Sequence, residues 1–374
     1  MDEEDEVPTL TAVSSSARQL YLLLRCINFA EKAHVQISDE GLRFSVDEAS
    51  VMEASAFLAK DLFTTYTYRA PTPPSHHSDS EDDEEGASLT LPNFQISLPS
   101  LLETLQIFGL TDPTNSSKPP WQRTEATSTA FSNNVLGMNN LCRILYMSPG
   151  GPLTVILTEA TIRTSCDLTC YEAAFSEEIP FDRSSLAFKT IMRGGWLGDA
   201  IAELSSTSPE KLTLWARMKE RKPYFALSSS GTLGSARVEF NNHVQSRAAP
   251  VPSSTSNPPG TPPPPASLLE TFKLGSPSSP LKASYKFSLI QRAMRAMSAA
   301  SKVSIRVDEQ GVLSLQFMIE VEAGKLSFID FRFVPLVEDD NEEGEGDETM
   351  LGVGEGSMDG DTSEGDEDEN EVLM

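Results

Sequence analysis

One local unit recurs along this chain, and any fold it adopts must accommodate four copies of it. The unit is an amphipathic helix followed by a β-hairpin. Its clearest copy is SSSARQLYLLLRCINFAEKAHVQISDEGLRFSVDEASVMEASAFLAK, residues 14–60. Leu20, Leu23, Leu24 and Ile27 fall at i, i+3, i+4 and i+7, one apolar stripe at the helical period. The period then switches to two: Val35 and Ile37, a turn at Asp39-Glu40-Gly41, then Leu42, Phe44 and Val46.

Near the other end, Ile290, Ala293, Met294 and Met297 form a second stripe. KVSIRVDEQGVLSLQF follows, with Val303, Ile305 and Val307, a DEQG turn, and Leu313, Leu315 and Phe317. HVQISDEGLRFSV and VSIRVDEQGVLSLQF are alike enough to suggest duplication. A third stripe is Leu197, Ala200, Ile201 and Leu204, and its hairpin carries Leu212, Leu214, Phe225 and Leu227. A looser fourth has Leu101, Leu102, Leu105 and Phe108, and its hairpin CRILYMSPGGPLTVIL arrives after an insertion. Self-similarity of this kind governs architecture before any single motif does.

At 374 residues the chain is long enough for two domains, each with its own core. It contains no run of 18 apolar residues and opens on MDEEDE, so neither a leader peptide nor a membrane anchor is expected. The four cysteines, Cys26, Cys142, Cys166 and Cys170, are scattered. Cys166 and Cys170 are expected to share one face of a strand. No C-x-x-C and no His partner completes a zinc set, so buried free thiols in a reducing compartment are expected.

The net charge of −26 is misleading until it is divided. Residues 2–6 hold five acids, 79–85 six and 338–371 seventeen, with no Lys or Arg in any of these runs. Without those 28, the remaining 27 acids face 29 bases, a formal charge of +2. Acidity therefore belongs to appendages that read as disordered, and the folded body is near neutral. Contact with nucleic acid must rest on where a few arginines sit.

In chain order, domain 1 is expected over 7–171, with low-complexity insertions near 70–88 and 111–138. Strands are expected at 52–59, 63–69, 141–147, 152–159 and 161–171, and a helix at 98–109. Residues 172–182, EAAFSEEIPFD, lose strand alternation and read as an interdomain connector. Domain 2 spans 183–335, with a Pro/Ser-rich insertion near 241–281 and an acidic tail at 336–374. Ser14–Ser16 can cap the first helix, and Ser288 with Gln291 has capping-box spacing at the last. Ser78 and Ser80 beside acids, and Thr261-Pro262, Ser276-Pro277 and Ser279-Pro280, are candidate phosphorylation sites of low specificity. The fold class is α+β: antiparallel sheets, with two helices per domain on one side.

INFAEKAHVQISDEGLRFSVDEASVMEASAFL, KPYFALSSSGTLGSARVEF and KVSIRVDEQGVLSLQFMI resemble, in the same order, segments of the Rad-one-type subunit of the nine-one-one DNA-damage checkpoint clamp. That subunit belongs to the sliding-clamp family typified by proliferating cell nuclear antigen. The resemblance implies a heterotrimeric ring of six similar domains, with sheets outside and helices lining a hole for duplex DNA. It implies edge-strand pairing between subunits, here through strand 161–171 and the strand within 232–240. It also implies Rad-nine-type and Hus-one-type partner subunits, an ATP-driven clamp loader, repair and checkpoint proteins as clients, and a nuclear location. The chain has no G-x-x-x-x-G-K-[ST], so the nucleotide would belong to the loader, and no cofactor or metal is expected.

A clamp must encircle DNA without gripping it, through exchangeable contacts to phosphates. The candidates are Arg18 and Arg25 in the first helix, Arg292 and Arg295 in the last, and Lys302 just after it. Each is equally readable as a solvent-facing charge. Glu103, Asp199 and Glu203 on the other two helices predict an unevenly positive bore. For a partner pocket beneath the connector, the candidates are Phe57, Met318 and Phe328, although each taken singly reads first as ordinary core. Two other functions remain open. A metal-dependent exonuclease would need convergent carboxylates, but the acids lie in low-complexity runs or, like Asp47-Glu48 and Asp308-Glu309, at hairpin ends. His34, His76, His77 and His243 have no obvious ligand companions. An acidic-tailed interaction protein without a DNA role is the other.

Overall fold

The computed structural model describes residues 7–70, 91–107, 141–159, 161–173, 178–219, 222–240, 268–276, 280–321 and 324–337. The two long insertions of the first half, residues 241–267 of the Pro/Ser insertion and the acidic tail from residue 338 lie outside these, as do Phe108, Ser78, Ser80, Thr261 and Ser279; residues 268–276, expected to belong to that insertion, instead carry a sheet strand, Thr271–Leu274. Residues up to Leu336 make one compact unit.

In chain order the first half runs β1 (Leu10–Ser14), α1 (Ala17–Arg25), β2 (Lys32–Ile37), β3 (Gly41–Glu48), β4 (Met52–Ala59), β5 (Thr65–Tyr68), β6 (Asn93–Ser97), α2 (Leu98–Leu105), β7 (Leu141–Tyr146), β8 (Leu153–Glu159), β9 (Ile162–Leu168) and β10 (Tyr171–Glu172). The second half runs β11 (Leu186–Met192), α3 (Gly194–Leu204), β12 (Pro209–Lys219), β13 (Lys222–Gly231), β14 (Gly234–Phe240), β15 (Thr271–Leu274), β16 (Leu281–Lys286), α4 (Phe287–Gln291), α5 (Met294–Ala299), β17 (Lys302–Asp308), β18 (Leu313–Glu320) and β19 (Leu326–Phe333).

The fourfold repeat is realised as strand, helix and three-stranded meander: β1-α1-β2-β3-β4, β6-α2-β7-β8-β9, β11-α3-β12-β13-β14 and β16-α4/α5-β17-β18-β19. The leading strand does not join its own meander. Instead β6 pairs with β2, β1 with β7, β16 with β12 and β11 with β17, so units interlock two by two. The meanders of the first and last units then meet, β4 against β19, in an antiparallel ladder from Phe57↔Phe328 to Met52↔Phe333. That ladder makes one ten-stranded sheet, β10-β6-β2-β3-β4-β19-β18-β17-β11-β15. The other two sheets, β5-β1-β7-β8-β9 and β14-β13-β12-β16, end on β9 and β14.

Burial follows the sequence period. Leu20, Leu23 and Leu24 of α1 are at most 1% exposed, as are Val35, Ile37, Leu42, Phe44 and Val46 of the following hairpin. Each such side chain contributes about 1.5–3 kcal/mol on burial. Ser16 takes the N-cap position of α1. The hydroxyl of Ser14 accepts from the Ser16 backbone N–H (3.3 Å) and from Gln19 Nε2 (2.7 Å), while Gln19 also donates to the Leu62 carbonyl (3.1 Å). Helix α2 starts with Pro99 in its first turn and Ser97 as a side-chain cap.

The last helix departs from expectation. It begins at Phe287 directly out of β16, with Lys286 as N-cap, so Ser288 is already helical and does not cap. It breaks at Arg292–Ala293, where Arg292 N–H and Ala293 N–H bond three residues back, to Leu289 and Ile290. Its second half crosses α3 closely because Gly194 and Gly198 face it. A Cβ on Gly194 would stand 2.7 Å from the Ala300 and Met297 carbonyl oxygens. The cysteines also divide: Cys26 and Cys142 are buried and Cys166 and Cys170 only partly so. Cys166 is on β9, whereas Cys170 falls in the break before β10 and shares no strand face with it.

Candidate nucleic-acid and partner surfaces

Helix α1 buries Ala17, Gln19, Leu20, Tyr21, Leu23 and Leu24, which leaves Arg18, Leu22 and Arg25 as one outward strip at i, i+4 and i+7. Arg25 lies over the Tyr21 ring, 5.8 Å from its centroid. Arg295 is exposed on α5. The charges of Arg295 and Arg25 both reach the Cys26 thiol, where they oppose a burial that pushes its pKa up to about 12. Arg25 of the first helix and Arg295 of the last are therefore both near enough to Cys26 to act on it. Glu103, Asp199 and Glu203 are exposed on α2 and α3, so the helix surface is basic only in part. Arg193, stacked at 5.0 Å on Trp196 at the start of α3, is a further exposed cation at a helix terminus. Sequence reading passed it over, and its signal was an Arg three residues before a Trp at a helix start.

Arg292 has another engagement. Its guanidinium forks onto Glu48 at the end of β3 (2.5 and 3.2 Å) and lies 5.6 Å over Phe29. Glu48 was expected to serve the hairpin turn; it ties the two halves of the chain together instead. Asp308 does serve its turn: Oδ1 accepts from the Gln310 and Val312 N–H groups at 3.0 and 2.9 Å. Lys302 pairs with Glu270 (2.7 Å) and stands directly opposite Met318. Its neighbour Val303 and the opposing Phe317 are fully buried, so Lys302 faces away from the core.

The three apolar candidates come together. Cross-strand register aligns Lys302, Met318, Phe328, Phe57 and Arg43 in one row over β17, β18, β19, β4 and β3. Residues directly opposite share a face, and this face is partly open, with Phe328 at 44% and nearby Leu326 at 49% exposure. Phe57, Met318 and Phe328 are surface, not core.

The connector meets the same face elsewhere. Arg332 donates to the Ile179 carbonyl (2.7 Å) and pairs with Glu53 (2.8 Å), whose other oxygen accepts from the Ile179 N–H (2.8 Å). Phe181 covers Arg306, 5.6 Å from ring to guanidinium. Burial raises the pKa of Glu53 against the lowering effects of the Ile179 N–H and Arg332. Glu53 and Phe57 are four residues apart on β4, about 13 Å, so the described part of the connector lies beside the apolar row rather than above it. Between the connector and the first-half strands is a polar cavity of about 390 Å³, with His34, Arg43, Asp47, Glu53, Glu178 and Arg332 in its wall. Burial lowers the pKa of His34, opposed by Asp47. Among the described residues, no three His, Cys, Asp or Glu cluster to hold a metal ion, and no helix is long and apolar enough to cross a membrane.

Comparison with known proteins settles the family. The model of the repair protein family Rad1/Rec1/Rad17 matches residues 9–319. This chain belongs to that family. Among similar proteins, the DNA damage checkpoint control protein rad1 of Schizosaccharomyces pombe is 31% identical over 320 residues, 85% of this chain and 84% of the relative. The human cell cycle checkpoint protein RAD1 is 27% identical over 335 residues, 90% of this chain and 94% of the relative. More distantly, the DNA repair exonuclease REC1 of Mycosarcoma maydis is 25% identical over 198 residues, 47% of this chain and 39% of the relative.

Proposed function

We propose that this Rad1-family chain is one subunit of a heterotrimeric ring that encircles DNA in the damage checkpoint and acts as a scaffold for signalling and repair proteins. The carrying observation is the fate of the third meander strands. Of β4, β9, β14 and β19, two pair with each other inside the chain, and β9 and β14 are left at sheet edges. Both are seven residues long. Docking β9 of one subunit on the β14 equivalent of the next repeats, between chains, the β4–β19 junction already made within this one. Such a head-to-tail contact closes into a ring when its rotation permits, and it removes two exposed edges.

In this reading each chain supplies two clamp domains, divided at the connector, and the helix layer lines the hole. Arg18, Arg25 and Arg295 touch phosphates through screened contacts, with Arg193 added to the set. Arg292 contributes less because Glu48 holds it, and Lys302 belongs to the outer face. The partners are Rad-nine-type and Hus-one-type subunits and a clamp loader, in the nucleus. Client proteins dock on the Phe57–Phe328–Met318 row.

The test is topological. The assembled ring should stay on nicked circular DNA and slide off once the circle is cut, and Arg18→Glu/Arg295→Glu should shorten retention with the trimer intact. Equal retention on cut DNA refutes encirclement. The REC1 name favours a second reading, a metal-dependent exonuclease. Magnesium-dependent degradation of a labelled strand by the purified chain, lost on mutating one acid pair, would establish it.

A further inference from the structure

The far edge of the ten-stranded sheet carries an arrangement that ring closure does not use. Among the described residues strand β15 pairs only with β11, and it sets Lys273 directly opposite Lys189. Lys189 is in turn directly opposite Arg306 of β17, so three cations stand side by side on three neighbouring strands. Like charges in directly opposed positions repel. Two other cations of this face are neutralised, Lys302 by Glu270 and Arg332 by Glu53. Arg306 has Asp330 at 3.7 Å and Ser314 at 3.1 Å. Lys189 and Lys273 have no acidic partner among the described residues. Exposed Arg183, just before β11, is near enough to act on the Arg306 charge and adds to the same sign.

A single lysine on an edge strand is an ordinary guard against edge-to-edge association. That role explains Lys273 and leaves Lys189, one strand further in, without a purpose. The opposite side of β15 is apolar. Phe272 and Leu274 are only partly buried, and Phe272 meets Phe188 edge-on at 5.5 Å between centroids. The edge therefore offers three things in register: backbone groups that pair with no other strand among the described residues, cations on one face and half-covered apolar side chains on the other.

We propose that the β15 edge accepts, as an added strand, an extended segment of a partner protein whose acidic and apolar residues alternate. Alternate side chains of an added strand fall on opposite faces. Its acids meet Lys273 and Lys189 and its apolar residues extend Phe272 and Leu274. A nucleic-acid backbone would satisfy the lysines but use neither the apolar side nor the strand edge. This surface is separate from β9, β14 and the helix layer, so the proposal goes beyond the clamp reading and stands without it.

The probe is a fluorescein-labelled, amide-capped peptide Asp-Val-Asp-Leu-Asp-Val, titrated with the full chain and followed by anisotropy. Binding should weaken about tenfold or more for Lys189→Glu/Lys273→Glu, for the peptide N-methylated at alternate positions, and for Asp-Asp-Asp-Val-Val-Leu of equal composition. No binding, or binding indifferent to the two lysines or to N-methylation, overturns the proposal. A single-stranded oligonucleotide bound as tightly, with the same lysine dependence, also overturns it and leaves a generic basic patch. Lys189→Gln/Lys273→Gln controls for folding: it should melt at or above the parent temperature, and a lower melting point removes the premise that the pair is repulsive.

Discussion

Replacing Arg292 with alanine should cost stability, whereas replacing Arg295, one turn along, should not. The Arg292–Glu48 contact is bidentate at 2.5 and 3.2 Å, but the side chains are 32% and 39% exposed, so solvent screens it. A pair so exposed contributes about 0.5–1 kcal/mol. Losing the guanidinium over Phe29 removes about 0.5–1 kcal/mol more. The expected loss is therefore about 1–2 kcal/mol, or about 2–5 °C in melting temperature for a unit of this size. Urea unfolding of the full chain for Arg292→Ala, Glu48→Gln and the double variant forms a double-mutant cycle. It should return a coupling of about 0.5–1 kcal/mol. Arg295→Ala should move stability by less than about 0.5 kcal/mol and instead shorten retention on circular DNA. Additive Arg292 and Glu48 effects, or an Arg292→Ala chain as stable as the parent but poor at retaining DNA, would refute this division of labour.

The turn joining β3 to β4 holds Ala49 and Ser50 at φ of 48° and 57°, a left-handed conformation that glycine adopts without cost. Ala49→Gly should therefore stabilise the chain by about 0.5–1 kcal/mol, read as a higher urea midpoint. Gly194→Ala should do the reverse, by about 1–3 kcal/mol, because its Cβ meets two backbone oxygens where α3 crosses α5. His34 gives a pH signature: its folded pKa lies below the ordinary 6.5 because of burial. The unfolded chain then binds the proton more readily, so stability from this group is complete above 6.5 and lost as pH falls through the folded value. Subtracting the pH–stability curve of His34→Gln from that of the parent should isolate this fall, and superimposable curves would contradict it.

The four helix-and-hairpin units could be read from the sequence because a buried stripe imposes its period on consecutive residues. Leu20, Leu23 and Leu24, or Val303, Ile305 and Val307, carry that information locally. What local periodicity cannot carry is which strand lies beside which. The exchange of leading strands, β1 to β7 and β6 to β2, and the β4–β19 junction are pairings across tens to hundreds of residues. The Arg292–Glu48 contact was out of reach for the same reason: the two residues meet across 244 positions. Phe57 was ambiguous for a different cause. In MEASAFLA both phases near the end are apolar, and only the unbroken run Met52, Ala54, Ala56, Leu58 on the buried side assigns Phe57 to the surface. The capping box at Ser288 failed because a helix that leaves a strand without a loop has no room for one.

The native mass of the assembly containing this chain addresses the central claim most directly. The third meander strands left at sheet edges, β9 and β14, predict a complex of three different chains, one copy each, in which the amides of β9 and β14 exchange hydrogen far more slowly than in the isolated subunit. A stable lone chain whose β9 and β14 amides exchange alike with and without the other two subunits would contradict it.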